Sequence, residues 1–214
     1  MEQEILQLSK KLITYKTFTD NFIENNKCLD YIKSICNQDL IVKEFKSNGY
    51  KSLLISNKNT SNFKVILNGH IDVVPANDPL FKPVVKGNKM YGRGAYDMKS
   101  SIACFIHLLN TYGTLLNYPI GLQIVTDEEI AGINGTKHQL QNGLETEFVL
   151  TGESSTNLNI VNKCKGVAWF KLTLKGKPSH GAYLWKGDNL VHKLNSFLSE
   201  IYIKYPAPLD FSLG

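Results

Sequence analysis

The stretch FKVILNG, residues 63–69, is a short and nearly continuous apolar run that leads directly into His70. Two later runs have the same character, IGLQIVT at 120–126 and EFVLTGE at 147–153. Apolar runs of this length without alternation are typical of strands that are buried on both faces of a sheet. Between and after them, residues 98–112 and 134–142 carry apolar side chains at helical spacing, which indicates helices that alternate with the strands.

The flanking patterns complete the fold prediction. Residues 4–16 and 22–36 have helical spacing, and LIVKEFK, SNGY and KSLLIS over 40–56 are typical of a β-hairpin. Two short β segments surround Gly87 and Asn88. Together these patterns predict an α/β fold, with a largely parallel mixed sheet and helices on both of its faces.

The pattern changes after Cys164. GVAWFKLTLKGK, residues 166–177, alternates with a period of two and predicts a half-exposed antiparallel strand, followed by a helix at about 189–203. One strand and one helix are too little for an independent core. We therefore expect one domain over residues 1–164 and only part of a second, smaller α+β domain over 165–214.

Composition excludes several classes of protein. The 214 residues are 43% hydrophobic and 20% charged, as in ordinary globular domains, and no apolar window is long enough to cross a membrane. The net charge of +5 comes from dispersed lysines, so nucleic acid is not an expected partner. Four scattered cysteines without CxxC spacing, and the lack of a signal-peptide layout, favour a cytoplasmic location.

Acidic residues follow each of the three buried runs. In open α/β sheets, ligands bind beyond the carboxyl ends of the strands, so these side chains are expected to meet. The residues are His70 and Asp72 after the first run, Asp127, Glu128 and Glu129 after the second, Glu153 at the end of the third, and Asp97 in the glycine-rich loop YGRGAYD. Carboxylates packed in this way need a multivalent cation. Imidazole with carboxylates favours zinc, with cobalt or manganese as alternatives, and two bridged ions form a known hydrolytic arrangement.

Spacing also suggests separate roles for neighbouring acids. His70 and Asp72 are two residues apart and point the same way in extended backbone, so Asp72 can orient the imidazole. Glu128 and Glu129 are adjacent and point in different directions. One of them is expected to bind metal while the other stays free to move protons.

Five motifs occur in an order that resembles the M20 metallopeptidase family, a group that includes acetylornithine deacetylases, succinyl-diaminopimelate desuccinylases, aminoacylases and carboxypeptidase G2. The motifs are NGHIDVVP, YGRGAYDMKSS, TDEEIAG, TGES and GKPSHGA. Each string alone is weak, but the five in order span nearly the whole chain. The resemblance implies a zinc-exopeptidase-like fold, with residues 165–214 as part of a lid that mediates homodimerisation.

The resemblance also implies a role for each matching residue. Two divalent metal ions would be bound by His70, Asp97, Glu129 and Glu153, with Asp97 bridging them and the two glutamates holding one ion each. Glu128 would be the general base and then the acid, Asp72 would support His70, and His180 in the lid would polarise the scissile carbonyl. The implied reaction is cleavage of an amide bond in an N-acyl amino acid or a short peptide. Dipeptidase or aminopeptidase specificity, with the same chemistry, is an open alternative.

Two departures from the family pattern bear on these expectations. Ser154 stands where the family usually has proline, which loosens a turn and leaves Glu153 in place. No residue matches the second metal-binding histidine that the family has near its C-terminus. We therefore expect the N-terminal part of a longer enzyme, with a catalytic domain that lacks its C-terminal return, and a non-catalytic truncated fragment is the alternative function.

Overall fold

A computed structural model of the chain describes residues 1–153, 160–161 and 170–205. The chain divides into two compact units, residues 1–161 and 162–214. The predicted assignment of a catalytic role to residues 1–164 and of a lid role to 165–214 stays a prediction. No helix in the described part of the chain is both long enough and apolar enough to cross a bilayer.

The described elements of the first unit are four α-helices and seven strands. The helices are α1 Glu2–Ile13, α2 Phe22–Ile35, α3 Lys99–Tyr112 and α4 Thr136–Gln141. The strands are β1 Ile41–Ser47, β2 Tyr50–Ser56, β3 Asn62–His70, β4 Val84–Lys86, β5 Lys89–Tyr91, β6 Ile120–Val125 and β7 Glu145–Thr151. The elements predicted in this region are all present, with bounds that shift by a few residues.

The main sheet is mixed, with the strand order β1-β2-β6-β3-β7. β3 runs parallel to both β6 and β7, whereas β2 is antiparallel to β6 and to β1. The predicted α/β class with a mixed sheet is therefore confirmed. The parallel part consists of the three apolar runs that the sequence singled out. The prediction that each run is buried on both faces is wrong for β7, which lies at the edge of the described sheet and has exposed side chains.

The β1–β2 hairpin turns at Asn48 and Gly49, which both have positive φ angles, of 48° and 92°. A two-residue turn of this kind matches the right-handed twist of the strands, and Asn-Gly is a favoured sequence for it. The turn places Ser47 opposite Tyr50 and extends the ladder to Ile41 and Ser56. The predicted hairpin is confirmed.

Helices lie on both faces of the sheet. On one face α3 packs on β3 and β6 and α2 packs on β2, forming the main core with side chains such as Leu122, Ile124 and Ile106. Gln123 of β6 points to the other face, where it bonds to Gln139 of α4. Because β3, β6 and β7 are parallel, their carboxyl ends lie at one edge of the sheet, which positions the site.

In the second unit, α5 spans Leu190–Lys204, close to the helix predicted at 189–203. The side chain of Asn189 accepts hydrogen bonds from the backbone N–H groups of Val191 and His192 and so begins the helix. The strand predicted at 166–177 falls partly outside the described residues. Its described part, 170–177, has no regular structure, so the prediction is wrong there: a strand needs a paired neighbour, and the described part of this unit supplies none.

Candidate metal centre

Strand register brings three chain segments to one edge of the sheet. His70 is the last residue of β3 and lies opposite Val125, the last residue of β6. Asn68 of β3 lies opposite Thr151, the last residue of β7. Because the three strands are parallel, the residues that follow them emerge side by side.

His70 lies at the middle of this edge, with only 1% of its side chain exposed. Its Nδ1–H donates to the backbone carbonyl of Asp72 at 2.9 Å, which leaves Nε2 directed at the acids. Nε2 lies 2.9 Å from Asp97 Oδ1, 3.2 Å from Glu153 Oε1 and 3.9 Å from Glu128 Oε2. One imidazole nitrogen is therefore shared by carboxylates from three separate segments.

Two triads of potential ligand atoms share His70. One consists of His70, Asp97 and Glu129, and the other of His70, Glu128 and Glu153, with the ligand atoms of each triad within 4.8 Å of one another. All four residues predicted to bind metal are thus brought together, and Glu128 lies beside them. The division of roles between Glu128 and the ligands stays a prediction.

The pKa values in this cluster reflect its crowding. Burial raises the pKa of Glu128, and the nearby carboxylates of Glu153 and Asp72 raise it further. Burial likewise raises the pKa of Glu129, with Asp97 as the strongest acidic neighbour. Burial disfavours the charged form of His70, but the carboxylates of Asp72 and Glu153 outweigh it and raise the pKa of His70 to about 11. The cluster as a whole favours a positive charge at its centre.

Asp72 is fully buried and joins two of the segments. Its Oδ1 accepts a hydrogen bond from the backbone N–H of Glu128 at 3.2 Å, and its Oδ2 accepts one from the N–H of Glu129 at 3.1 Å. Oδ1 also lies 3.4 Å from His70 Nδ1. The imidazole N–H of His70 bonds to the backbone carbonyl of Asp72 while the carboxylate lies nearby and holds the backbone of the acidic turn, and the predicted role of that carboxylate in orienting His70 stays a prediction.

The loop that carries Asp97 is tied to the N-terminal helix. Lys99, which follows it, is fully buried, and its ammonium donates to the carbonyls of Leu12 and Tyr15 at 3.1 and 2.8 Å. Burial lowers the pKa of Lys99 to about 8. The ammonium is thus hydrogen-bonded to backbone carbonyls at and just after the end of α1. In the described part of the chain, Asp97, Glu128 and Glu153 form their ion pairs with His70.

Gly152 brings Glu153 close to α3. Ser101 Oγ donates to the carbonyl of Gly152 at 2.6 Å, and a Cβ on Gly152 would lie 2.6 Å from Ser101 Cβ and 2.9 Å from the ring of Phe105. A side chain at position 152 would therefore force the strand end away from the helix. Ser154, where the sequence departs from the family pattern, lies outside the described residues.

His180 belongs to the second unit. Its Nδ1 accepts a hydrogen bond from the backbone N–H of Ala182 at 3.1 Å, and its ring lies 5.9 Å from that of Tyr183. Its predicted role in polarising a carbonyl stays a prediction.

Thr19 is a residue of this site that the sequence did not indicate. Its hydroxyl donates to Asp72 Oδ2 at 3.1 Å across a separation of 53 residues. Thr19 lies in an irregular segment between α1 and α2. No hydrophobic periodicity and no sequence motif around it indicates a contact with Asp72.

A mixed α/β sheet with one imidazole and several carboxylates at its carboxyl edge has the donor set of metal-dependent hydrolases. The model of peptidase family M20/M25/M40 matches residues 66–206, which is more than half of the chain. The chain belongs to this family.

Curated relatives of the chain include succinyl-diaminopimelate desuccinylases. The enzyme of Rickettsia akari (strain Hartford) is 32% identical in an alignment 219 residues long, and this alignment covers 90% of this chain and 56% of the relative. That of Helicobacter pylori (strain HPAG1) is 30% identical over 225 residues, covering 91% and 57%. The chain thus spans a little over half the length of these relatives.

Solved structures share the fold. Human carnosine dipeptidase 1 matches with a TM-score of 0.56 at 16% identity, over 72% of this chain and 39% of its own. An M20 family metallo-carboxypeptidase from Sulfolobus solfataricus matches with a TM-score of 0.55 at 18% identity, over 71% and 37%. These likenesses support the mixed α/β class and carry no information on substrate.

Proposed function

We propose that this chain carries the principal part of a metal-dependent hydrolase centre that cleaves the amide bond of an N-acyl amino acid or a short peptide. The observation that carries the proposal is the convergence of His70, Asp97, Glu129 and Glu153 from four chain segments at one edge of the sheet. Membership of the peptidase family supports the reaction class.

The side chains present fit divalent metal ions. One neutral imidazole nitrogen and several carboxylate oxygens are suitable ligands for zinc, and also for cobalt or manganese. We propose that His70, Asp97, Glu129 and Glu153 would hold two such ions. When bound, such ions would polarise the scissile carbonyl and make a neighbouring water more acidic.

His70 is prepared to act as a ligand through Nε2. Its Nδ1–H is bonded to the Asp72 carbonyl, which directs Nε2 at the carboxylates, and the second proton that the raised pKa keeps on Nε2 would be released when a cation binds there. This bond fixes the ring orientation before any ligand binds. Burial of the ring keeps bulk water away from that side of the centre.

Glu128 is assigned to proton transfer. About half of its side chain is exposed, so the carboxylate can reach both a water molecule and a substrate. Its raised pKa brings it nearer to the range in which a carboxylate can both accept and return a proton. In the proposed reaction Glu128 accepts a proton from the attacking water and donates it to the leaving amine.

The substrate class rests on the family and its curated relatives. The family is described as a peptidase family, and the curated relatives are named for removal of a succinyl group from succinyl-diaminopimelate. We therefore propose an N-acyl amino acid or short peptide as substrate, with His180 acting on the carbonyl and the second unit forming a homodimer contact.

The proposal is tested by measuring the zinc content of the purified chain and its hydrolysis of N-succinyl and N-acetyl amino acids and dipeptides. Glu128→Gln should bind zinc with unchanged stoichiometry and lose about 10³-fold in turnover, within the ~10²–10⁴-fold range of general acid–base catalysis.

Glu147→Gln is the matched control, since Glu147 lies on β7 and pairs with Lys64 at the surface. It should retain full turnover. A folded chain that binds no zinc would overturn the proposal, and zinc binding without turnover of any panel member would leave the chain as the non-catalytic alternative.

A further inference from the structure

We propose that Thr19 is a positioning residue of the metal centre: its hydroxyl fixes the carboxylate of Asp72, and that carboxylate holds the backbone of Glu128 and Glu129. The inference rests on the proposed function. It extends the centre to a segment N-terminal of the residues that the family model matches, which begin at position 66.

The carboxylate of Asp72 is held on both oxygens. Oδ2 accepts from Thr19 Oγ1 and from the N–H of Glu129, each at 3.1 Å, while Oδ1 accepts from the N–H of Glu128. Among the described contacts, Thr19 supplies the side-chain hydroxyl and the other two donors are backbone groups of the acidic turn. Loss of the hydroxyl would remove the one of these three donors that lies outside the acidic turn, so the carboxylate and the backbone of both glutamates could shift together.

Thr19 is itself held in place by its neighbours. The N–H of Val73 donates to the carbonyl of Thr17 at 2.9 Å, and Phe18 forms a parallel bridge with Val73. The buried amide of Asn25 donates to the carbonyls of Phe18 and Thr19 at 3.0 and 3.2 Å. These backbone contacts persist when the hydroxyl is removed, so the position of residue 19 does not depend on its side chain.

The hydroxyl of Thr19 acts on the metal centre indirectly, through Asp72. Outer partners of metal ligands orient them, and their loss typically weakens metal binding by ~10–100-fold. Thr19 contacts Asp72, which in turn contacts His70 and the backbone of Glu129, so the lower end of this range applies. We expect an effect on metal affinity and ligand geometry, with little effect on folding of the metal-free chain.

The test compares zinc affinity by chelator competition and the visible absorption spectrum of the cobalt(II) form. Thr19→Val should bind zinc about tenfold more weakly than the wild type and give an altered cobalt spectrum. Thr19→Ser, which keeps a hydroxyl, should have the zinc affinity and the cobalt spectrum of the wild type. Thr14→Val is the matched control, since Thr14 is exposed and its hydroxyl bonds to the carbonyl of Lys11. In an Asp72→Asn background, Thr19→Val should add no further loss.

Equal zinc affinity and an unchanged cobalt spectrum in Thr19→Val would overturn the inference while leaving the proposed function intact. Failure of Thr19→Ser to restore either property would also overturn it. If Thr19→Val does not fold, the pair Thr19→Ser and Thr19→Ala carries the same comparison, because these two differ by the hydroxyl alone. A wild-type chain that binds no zinc would instead overturn the proposed function itself.

Discussion

Asp127, Glu128 and Glu129 are neighbours in the chain, yet each carboxylate has different surroundings. Asp127 is fully buried, and its Oδ2 accepts a hydrogen bond from the N–H of Asn134 at 2.7 Å, which closes the loop after β6. Glu128 and Glu129 point to the two triads around His70. Three adjacent acids are therefore compatible, because one oxygen of Asp127 is bonded to the backbone, burial raises the pKa of that carboxyl, and the other two acids face a centre that favours a cation.

Gly152 gives a prediction at the scale of one residue. Gly152→Ala should destabilise the chain by about 1–3 kcal/mol, because the added methyl meets Ser101 and Phe105 at distances that require the backbone to move. The same movement displaces Glu153, so zinc affinity should fall in parallel. Chemical denaturation and chelator competition measure the two effects.

Gly181→Ala is the matched control for this substitution, since an added methyl meets no atom within 4 Å there. It should leave both stability and zinc affinity unchanged. If Gly152→Ala proved neutral in both measurements, the tight approach of β7 to α3 would not position Glu153.

At the scale of elements, a chain of side-chain hydrogen bonds links β7, β3, β6, α4 and β2. Thr151 donates to Asn68, Asn68 to Gln123, Gln123 to Gln139, and Gln139 to Ser52, at distances of 2.7 to 3.1 Å. A shift of one residue in any strand would turn its member to the opposite face of the sheet. The chain of bonds therefore specifies the register that aligns the strand ends at the metal centre.

Gln139→Leu tests this role. The substitution should cost about 1–3 kcal/mol of unfolding free energy, because it leaves buried polar groups of Gln123 and Ser52 without a partner. Gln141→Leu, on an exposed position of the same helix, should change stability by less than about 0.5 kcal/mol. Equal effects of the two substitutions in urea denaturation would contradict a register role for the buried chain.

Elements that rest on local pattern were predictable from the sequence. The apolar runs gave β3, β6 and β7, and Asn48–Gly49 gave the hairpin, since period and turn chemistry are local properties. The convergence of acids also followed, because the carboxyl ends of parallel strands meet at one edge. Thr19 and the buried ammonium of Lys99 were not predictable, since their partners are 53 and at least 84 residues away and leave no pattern in the chain.

At the scale of the whole molecule, the proposed ligands all lie in the first compact unit, residues 1–161. The second unit contains His180, for which the proposed role is at the substrate carbonyl and not as a metal ligand. The strand prediction that is wrong at 170–177 also concerns this second unit. A strand forms only when a neighbouring strand pairs with it, and the period-two pattern does not specify that neighbour.

Metal binding should therefore stabilise the two units unequally. A ligand that binds only the folded state contributes about 2.7 kcal/mol per site at a free concentration of a hundred times Kd. Hydrogen exchange with and without zinc should show increased protection in β3, β6 and β7, whose ends carry His70, Glu129 and Glu153, and no change in α5, which carries none of the proposed ligands. Asp97→Asn, which removes one of the proposed ligand carboxylates, should abolish most of the added protection. Equal added protection in both units would contradict the assignment of all metal ligands to residues 1–161. Metal bound by those residues alone should not protect the amides of Leu190–Lys204.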